Sequence, residues 1–412
     1  MEHAERRAEV RALAHLGLTE LAGASEGIHR VHRAISDRVF TAVRLGTGAA
    51  AAPVQALHDG ITDGVYLTIG TAAETAARVA QAAADLPLAT APSETVRGAV
   101  LIGVVQGLIG DELAERGSVL TDNPMTVRVG GRVVAPSPWA VAAAFPDAQR
   151  SLVVFLHGLV ETEHAWRLGG GPSYAERLAE ELPVTPVHVR YNTGRRISEN
   201  GRALSGLLNQ LMAAWPVPVD SIVLVGHSMG GLVARSAAHH GTETGAAWVD
   251  KVTTTVSLGS PHLGAPLETL AHYGSAALVA VPETAPFGRL LRRRSAGIRD
   301  LRAGSLVDED WRGRDADALG AAAAAEVPLL PGATHCFVAA TVTRSLRNPV
   351  GRIVGDGLVL APSASGRSSV RRIGFDAADG MHLPRAHHFT LLHHEAVYER
   401  LRGWVRGAPA LT

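Results

Sequence analysis

The serine at position 228 stands in a sequence pattern that is typical of nucleophilic catalysis. The segment Ser221–Arg235 reads SIVLVGHSMGGLVAR, so an apolar, strand-like run leads into G-x-S-x-G and then into a helical pattern. Small residues on both sides of a serine permit a sharp turn from strand to helix, which lifts the hydroxyl clear of the sheet. The turn also directs the helix N-terminus at the reacting centre. The pattern therefore predicts that Ser228 is a nucleophile.

The context of this serine carries the prediction, because the five-residue pattern alone is short. The chain has 44 glycines in 412 residues, and a second copy of the pattern occurs around Ser25, between Gly23 and Gly27. That copy follows a helical run, which predicts a loop or helix-cap role for Ser25. A phosphate-binding loop is the alternative for the glycine-rich turn after Gly226, but the lysine of that motif is missing.

A second strand-like run, Leu152–Leu156, ends in His157-Gly158-Leu159. A strand that ends in His-Gly provides a loop whose backbone N–H groups can face the nucleophile. We predict that Leu159 and Met229 donate their N–H groups to an oxyanion, a contribution that is typically worth about 10²–10³ in rate for each donor. The His157 side chain is expected to be a structural loop residue.

A serine nucleophile requires a base, and the base requires an acid that orients it. In a sheet of this type the order along the chain is Ser, Asp or Glu, His. Asp356, in Gly355-Asp-Gly-Leu-Val359, follows a predicted strand and is flanked by glycines that allow a tight turn. Asp376 and Asp379 are the rival acids, although they fall after the last predicted strand.

The base is expected in the loop that precedes the last helix, which is predicted from the apolar spacing between Leu391 and Val405. His388 fits this position best, and His387 is the alternative. No H-x-x-x-H pair with a supporting carboxylate is evident, so no metal site is predicted. The C-terminal region holds five candidate histidines: His382, His387, His388, His393 and His394.

Alternating strand-like and helical patterns must position these residues. Near-continuous apolar strands between helical stretches indicate a mostly parallel sheet with helices on both faces, which is an α/β fold. A turn at Gly130-Gly131 predicts a hairpin within 125–134. The predicted helices are Ser173–Leu182, Ser198–Trp215 and Gly230–His240. The predicted strands are Leu152–Leu156, Pro186–Tyr191, Ser221–Gly226, Val252–Ser257, Cys336–Val342 and Val370–Phe375.

The connection between Ser257 and Cys336 is too long for a normal crossover. We interpret it as a cap, at about 264–330, inserted over the carboxyl edge of the sheet. Its apolar residues are candidates for an acyl-binding site, although such a stripe is equally typical of a core. The candidate residues are Leu263, Leu267, Leu270 and Phe287.

The first part of the chain has a different pattern, which divides the protein into an N-terminal helical region (1–120) and a sheet domain (121–412). Gly103-x-x-x-Gly107 lies in the apolar stretch Gly98–Gly110 and predicts close packing of a helix. That stretch is too short to cross a bilayer. We expect the helices to pack against the sheet domain, with dimerisation or docking on a membrane as the alternatives.

The overall composition limits the possible partners and cofactors. Lys+Arg and Asp+Glu both number 39, and this balance does not favour nucleic acid as a partner. The single cysteine, Cys336, excludes a disulfide framework within the chain. The charged N-terminus has no apolar h-region, so we expect a cytoplasmic protein. No cofactor is predicted, and the oligomeric state is not indicated.

These motifs together resemble the α/β-hydrolase superfamily. G-H-S-M-G-G, the strand followed by His-Gly, G-D-G-L-V and H-F-T-L-L-H-H recur in its lipases and esterases. Ser257–Pro266 (SLGSPHLGAP) resembles the G-[ST]-P-H-x-G segment of bacterial lipases. This segment and Ser295–Leu306 are similar to the group related to GPI inositol-deacylase. The resemblance covers roughly 125–412 and leaves the N-terminal helices outside the common fold.

The resemblance implies an α/β-hydrolase fold, with Ser228 as nucleophile, Asp356 as acid and His388 as base. The implied activity is hydrolysis of a small-molecule or lipid carboxylic ester through an acyl-enzyme. The same triad also serves acyltransferases, thioesterases and amidases, and a non-catalytic lipid-binding protein of this fold is the alternative from another class. Secreted lipases carry signal peptides that are not seen here, so an extracellular fat-digesting role is not expected.

Overall fold

A computed structural model of the chain describes residues 8–10, 12–13, 90–121, 125–265, 294–314, 324–346, 348–368 and 371–407. Ser25 and most of the predicted N-terminal helical region lie outside these residues. The same is true of three of the four candidate acyl-binding residues in the predicted cap, namely Leu267, Leu270 and Phe287.

Eight strands of the described residues form one sheet in the order β2-β1-β4-β3-β5-β6-β7-β8. The six strands from β4 to β8 in this order are parallel. Strand β1 is antiparallel to β4 and to β2. The strands are β1 (Met125–Val129), β2 (Arg132–Val134), β3 (Ser151–Leu156), β4 (Thr185–Tyr191), β5 (Ser221–His227), β6 (Val252–Leu258), β7 (Thr334–Thr341) and β8 (Gly380–Pro384).

Helices accompany this sheet throughout the described part of the chain. The α-helices are α1 (Val96–Glu115), α2 (Pro138–Ala144), α3 (Tyr174–Glu181), α4 (Ile197–Ala214), α5 (Met229–Glu243), α6 (Ala296–Asp300), α7 (Pro349–Val354), α8 (Ala361–Ala364) and α9 (Glu395–Val405). Short 3-10 helices are found at Pro92–Glu94, Val119–Thr121, Glu163–Arg167, Val249–Lys251, Asp308–Asp310 and His388–Leu392.

The side chains of the central strand β3 show that both faces of the sheet are covered. Leu152 and Val154 belong to a core that includes residues of α4 and α5. Val153 and Phe155, which point to the other face, belong to a core that includes residues of α3 and α9. Successive side chains of a strand point to opposite faces, so an all-apolar strand requires two cores. The predicted α/β architecture is confirmed.

The hairpin predicted at Gly130-Gly131 is also confirmed. Both glycines have positive φ angles, 56° and 84°, as a type I′ turn requires. Its strands pair Val129 with Arg132 next to the turn, and β1 continues onto β4 through pairs such as Met125 with Tyr191.

The prediction of the last strand was wrong. Within Arg371–Phe375 the structure has only an isolated bridge, between Arg367 and Arg372, and the strand that pairs with β7 is β8 (Gly380–Pro384). Phe375 instead packs against His262 and Phe337, at ring-centroid distances of 4.8 and 5.7 Å. Because β8 is an edge strand, it tolerates a proline that lacks an N–H.

The long connection between β6 and β7 was predicted to form a cap. Its described residues include the short helix α6 and the 3-10 turn Asp308–Asp310, while 266–293 and 315–323 lie outside the described residues. The cap and the division of the chain at residue 120 therefore remain predictions. None of the helices in the described ranges combines the length and hydropathy that a membrane span requires.

Candidate active site

The strand order creates a crevice at the carboxyl ends of β3 and β5. Strands β3 and β5 are neighbours in the sheet. From β3 the chain continues to β4, toward one edge of the sheet, and from β5 it continues to β6, toward the other edge. The loops after β3 and β5 therefore leave in opposite directions, and ligands of open α/β sheets bind at such a switch point. The two segments that the sequence analysis singled out, His157–Leu159 and Ser228, follow these two strands directly.

Ser228 occupies the turn between β5 and α5 in a strained conformation. Its φ of 52° and ψ of −120° lie in a region that few non-glycine residues adopt, and such strain is concentrated at functional sites. The flanking glycines are required sterically: a methyl group on Gly226 would lie 2.3 Å from the Gly231 nitrogen, and one on Gly230 would lie 2.3 Å from the Leu156 oxygen. The predicted strand–turn–helix at Ser228 is confirmed.

Asp356 and His388 form a buried pair. His388 Nδ1 lies 2.8 Å from Asp356 Oδ2, and the residues are 2% and 1% exposed. The His388 N–H also donates to the Asp356 carbonyl oxygen at 3.0 Å. Asp356 Oδ1 accepts from the N–H groups of Leu358 and Val359 at 3.0 and 2.8 Å. The backbone of its own turn thus holds the Asp356 carboxylate in place, and the carboxylate holds the His388 imidazole.

The electrostatics of this pair favour a basic imidazole. Burial alone would lower the pKa of His388, but the Asp356 carboxylate and Glu161 together outweigh burial. The net result is a pKa above the usual value for histidine. Since Nδ1 faces Asp356, a proton can be exchanged with another neighbour only at the second ring nitrogen, Nε2. Nε2 is buried and has no hydrogen-bond partner among the described residues.

Ser228 and His388 both lie against the end of β6. The Ser228 N–H donates to the Leu258 carbonyl oxygen at 2.8 Å. A methyl group on the next residue, Gly259, would lie 3.1 Å from His388 Cε1. The structure therefore brings the three predicted residues to one place. His387, the alternative base, is not paired with Asp356, and burial lowers the pKa of its imidazole.

The loop after β3 lies against the serine. A methyl group on Gly158 would lie 3.0 Å from Ser228 Cβ, and Val160 has a left-handed φ of 59°. The N–H groups of Gly158 and Val160 bind Glu161 and Thr193. The N–H groups of Leu159 and Met229 have no acceptor in the part of the chain that the structure describes.

Helix α1 holds this loop from outside. A methyl group on Gly107 would lie 2.5 Å from Val160 Cγ1, and one on Gly103 would lie 2.9 Å from the Glu161 carbonyl oxygen. Only glycine permits this approach of helix to loop backbone. The close packing predicted from Gly103-x-x-x-Gly107 is confirmed, and its partner is the loop 160–162.

A second acid–imidazole pair lies beside the first and was missed by sequence reasoning. Glu161 Oε2 lies 3.0 Å from His227 Nδ1 and accepts from the Gly158 N–H at 2.5 Å. The rings of His227 and His388 are 4.7 Å apart. Burial raises the pKa of Glu161, but His227 and the Gly158 N–H outweigh it, so the net pKa is lowered. The signal was the histidine inside G-H-S-M-G, which requires a partner when buried.

His157 and Leu263, which the sequence also singled out, both have structural contacts. His157 is buried, and burial lowers the pKa of its imidazole to about 4. Its Nε2 accepts from the Tyr191 N–H and its Nδ1 contacts the Gly158 carbonyl oxygen. Leu263 is half-buried, and its N–H donates to Ser363 Oγ at 3.0 Å.

A family model matches the segment that contains the serine. Residues 189–276 match the PGAP1-like alpha/beta domain, a range that begins at the end of β4 and includes all of β5, α5 and β6. The match confirms the resemblance that the motifs indicated. Together with the mostly parallel sheet and its helices on both faces, it agrees with the predicted α/β-hydrolase fold.

Several solved structures are similar to this chain at low sequence identity. A mature lipase of Bacillus licheniformis has a TM-score of 0.42 and 17% identity, over 61% of this chain and 91% of that chain. Lipase 1 of Pelosinus fermentans has a TM-score of 0.37 and 14% identity, over 64% and 100% of the two chains. A hyperthermophilic esterase of the archaeon Pyrobaculum calidifontis has a TM-score of 0.37 and 15% identity, over 63% and 75%. No curated protein matches.

Proposed function

We propose that this chain is a serine hydrolase that cleaves carboxylic esters through an acyl-enzyme. The observation that carries the proposal is the buried Asp356–His388 pair, whose free Nε2 lies at the same strand end as the strained Ser228. A carboxylate that orients an imidazole, with a serine hydroxyl within reach of the other ring nitrogen, is the arrangement that makes a serine nucleophilic.

The proposed reaction begins when Ser228 Oγ attacks the ester carbonyl carbon. His388 Nε2 takes the hydroxyl proton, while Asp356 holds Nδ1–H and stabilises the imidazolium. The carbonyl oxygen gains a negative charge in the tetrahedral intermediate, and the N–H groups of Leu159 and Met229 are available to donate to it. His388 then gives the proton to the departing alcohol, leaving the acyl group on Ser228.

The second half returns the enzyme to its starting state. His388 removes a proton from a water molecule, and the resulting hydroxide attacks the acyl carbon. The second tetrahedral intermediate collapses, the carboxylic acid leaves, and the proton passes from His388 back to Ser228 Oγ. Acid and base thus alternate on one imidazole, as the raised pKa of His388 favours.

Steady-state hydrolysis of p-nitrophenyl acetate tests this proposal. Ser228→Ala is expected to lower kcat on the order of 10⁶-fold, to the background rate. Ser25→Ala is the matched control, because the same pattern surrounds that serine, and its kcat is expected to equal that of the wild type. Thioester, amide and acyl-transfer substrates measured in parallel identify the preferred acyl acceptor and leaving group.

A further inference from the structure

A cavity of about 990 Å³ lies between helix α1 and the loop after β3. This volume is near the upper end of the range for small-molecule sites, about 300–1,000 Å³. Residues of α1, of the segment 160–169, and the pair Phe389 and His393 contribute to its walls. None of the lining residues comes from the described part of the predicted cap.

The wall that α1 contributes is aliphatic. Val96, Val100 and Val104 are spaced by four residues, which places them on one face of the helix. Val96 is 59% exposed and Val100 is 36% exposed, so core packing does not account for this face. Single exposed valines are ordinary, but several that line one concavity are typical of a ligand site. Val160 and Leu168 also line the cavity.

The charged groups in the cavity wall have partners inside the protein. Arg128 Nη1 donates to the Gly131 carbonyl oxygen at 3.0 Å, and Glu163 Oε2 accepts from Arg190 Nε, behind the wall, at 2.6 Å. Arg167 Nη2 donates to Glu176 Oε1 at 2.7 Å. Burial lowers the pKa of His188 to about 4, so this imidazole is neutral at pH 7. An apolar ligand in the cavity therefore leaves the Arg190–Glu163 hydrogen bonds intact. It also contacts a neutral His188, so its binding does not bury an unpaired charge there.

Two residues of the cavity wall also belong to the surroundings of the candidate active site. Glu161 lines the cavity and also binds the Gly158 N–H and His227, on either side of Ser228. Phe389 lines it as well and directly follows His388, with ring centroids 5.7 Å apart. These two residues place the cavity next to the candidate active site.

We infer that this cavity binds the extended apolar acyl portion of the ester, and that α1 forms its outer wall. The inference rests on the proposed ester hydrolysis at Ser228 and adds to it a substrate class, long-chain acyl esters. The Gly103 and Gly107 contacts fix α1 against the loop 160–162, so the aliphatic wall has a fixed position relative to the serine. The helix from the N-terminal side of the sheet domain thus selects the acyl chain.

Val100→Trp tests the inference because it fills the cavity from the α1 side. The measurement is kcat/KM of the full chain for p-nitrophenyl palmitate and p-nitrophenyl acetate. We expect the palmitate-to-acetate ratio to fall about tenfold or more, since the loss of even one methylene contact costs about tenfold in such pockets. Val133→Trp is the matched control: Val133 is similarly exposed, at 43%, and does not line the cavity. Its ratio is expected to equal that of the wild type.

A binding measurement separates this inference from the proposed function. The fluorescence of cis-parinaric acid, a long-chain fatty acid, reports binding without turnover. We expect Val100→Trp to weaken its binding about tenfold and Val133→Trp to leave it unchanged. Melting temperatures of both variants show whether either substitution unfolds the chain. If Val100→Trp proves unfolded, Val100→Phe and Val96→Phe take its place in both measurements.

The outcomes distinguish the two claims. If the wild type hydrolyses esters in a Ser228-dependent way but Val100→Trp keeps both the wild-type ratio and the wild-type affinity for the fatty acid, the inference is overturned and the proposed function stands. If the wild type hydrolyses neither ester, the proposed function fails, and so does the inference that the cavity binds the acyl chain of a substrate. Fatty-acid binding that is sensitive to Val100→Trp then supports only a binding cavity for apolar chains.

Discussion

Nδ1 of His388 lies 2.8 Å from Oδ2 of Asp356, and the two side chains are almost completely buried at the carboxyl edge of the sheet. The other oxygen of Asp356 accepts two backbone N–H groups of its own turn. This geometry fixes which ring nitrogen carries the hydrogen and leaves Nε2 directed away from the acid.

The first prediction concerns the acid. Asp356→Asn keeps the shape of the side chain but removes its charge, so the imidazole loses the partner that holds its tautomer. We expect kcat for p-nitrophenyl acetate to fall roughly 10³–10⁴-fold, as for other triads. Asp376→Asn is the control, because Asp376 was a rival acid and, among the residues that the structure describes, accepts a hydrogen bond only from the Ala378 N–H, at 2.9 Å. A large loss in the control, or none in Asp356→Asn, would assign the acid elsewhere.

The second prediction concerns pH. Only neutral His388 accepts the serine proton, so kcat/KM rises as pH increases through the pKa of this imidazole. Burial lowers that pKa, but Asp356 and Glu161 together outweigh burial, so the midpoint is expected above the ordinary pKa of a histidine. Glu161→Gln removes one of the negative charges and keeps an acceptor for the Gly158 N–H. The acidic limb of the pH profile is therefore expected to move to lower pH.

Glu180→Gln is the control for this profile, since Glu180 is exposed and belongs to α3 rather than to the site. Its acidic limb is expected to coincide with that of the wild type. An upward shift in Glu161→Gln would contradict the assigned sign. The same sign applies to stability: a raised histidine pKa stabilises the folded chain below the unfolded pKa, and this contribution disappears as pH rises through the folded pKa.

The third prediction concerns the packing of α1. In Gly107→Ala the new methyl group would lie 2.5 Å from Val160 Cγ1 and 3.0 Å from the Val160 nitrogen. We expect the free energy of unfolding to fall by about 1–3 kcal/mol, as in other overpacked sites, and kcat/KM to fall because the loop that carries Leu159 shifts. Urea denaturation and ester hydrolysis measure the two effects.

Gly403→Ala provides the matched control for this change. Gly403 also lies inside a helix, α9, and a methyl group there would meet nothing within 4 Å. Alanine favours the helix over glycine by roughly 0.5–1 kcal/mol, so a small gain in stability and unchanged activity are expected. If Gly107→Ala behaved in the same way, α1 would not determine the position of the loop.

The turn at Ser228 could be predicted from the sequence because its requirements are local. Gly226 and Gly230 are needed where side chains would overlap backbone atoms, and the strand and helix on either side have distinct patterns. The Asp356–His388 pair could be predicted from chain order, because both residues follow late strands at the same edge of the sheet. The hydrogen bond between them joins residues 32 positions apart, so it depends on the tertiary structure.

Other features depend on tertiary contacts that no local pattern reveals. Pairing with β7 selects Gly380–Pro384 as the edge strand, although Val370–Phe375 has the stronger strand composition. Glu161 reaches His227 across 66 residues, so neither residue alone indicates the pair. The glycine spacing in α1 predicted close packing, but only the fold identifies the loop 160–162 as its partner.

Locating the covalent adduct after the protein reacts with a fluorophosphonate tests directly whether Ser228 is the nucleophile. Peptide mass spectrometry is expected to find one modified residue, Ser228, with no adduct on Ser25, and Ser228→Ala is expected to remain unmodified. Slower labelling is expected in Asp356→Asn, because its imidazole activates the hydroxyl less well. An unlabelled wild-type protein, or an adduct on another residue that survives Ser228→Ala, would contradict the account.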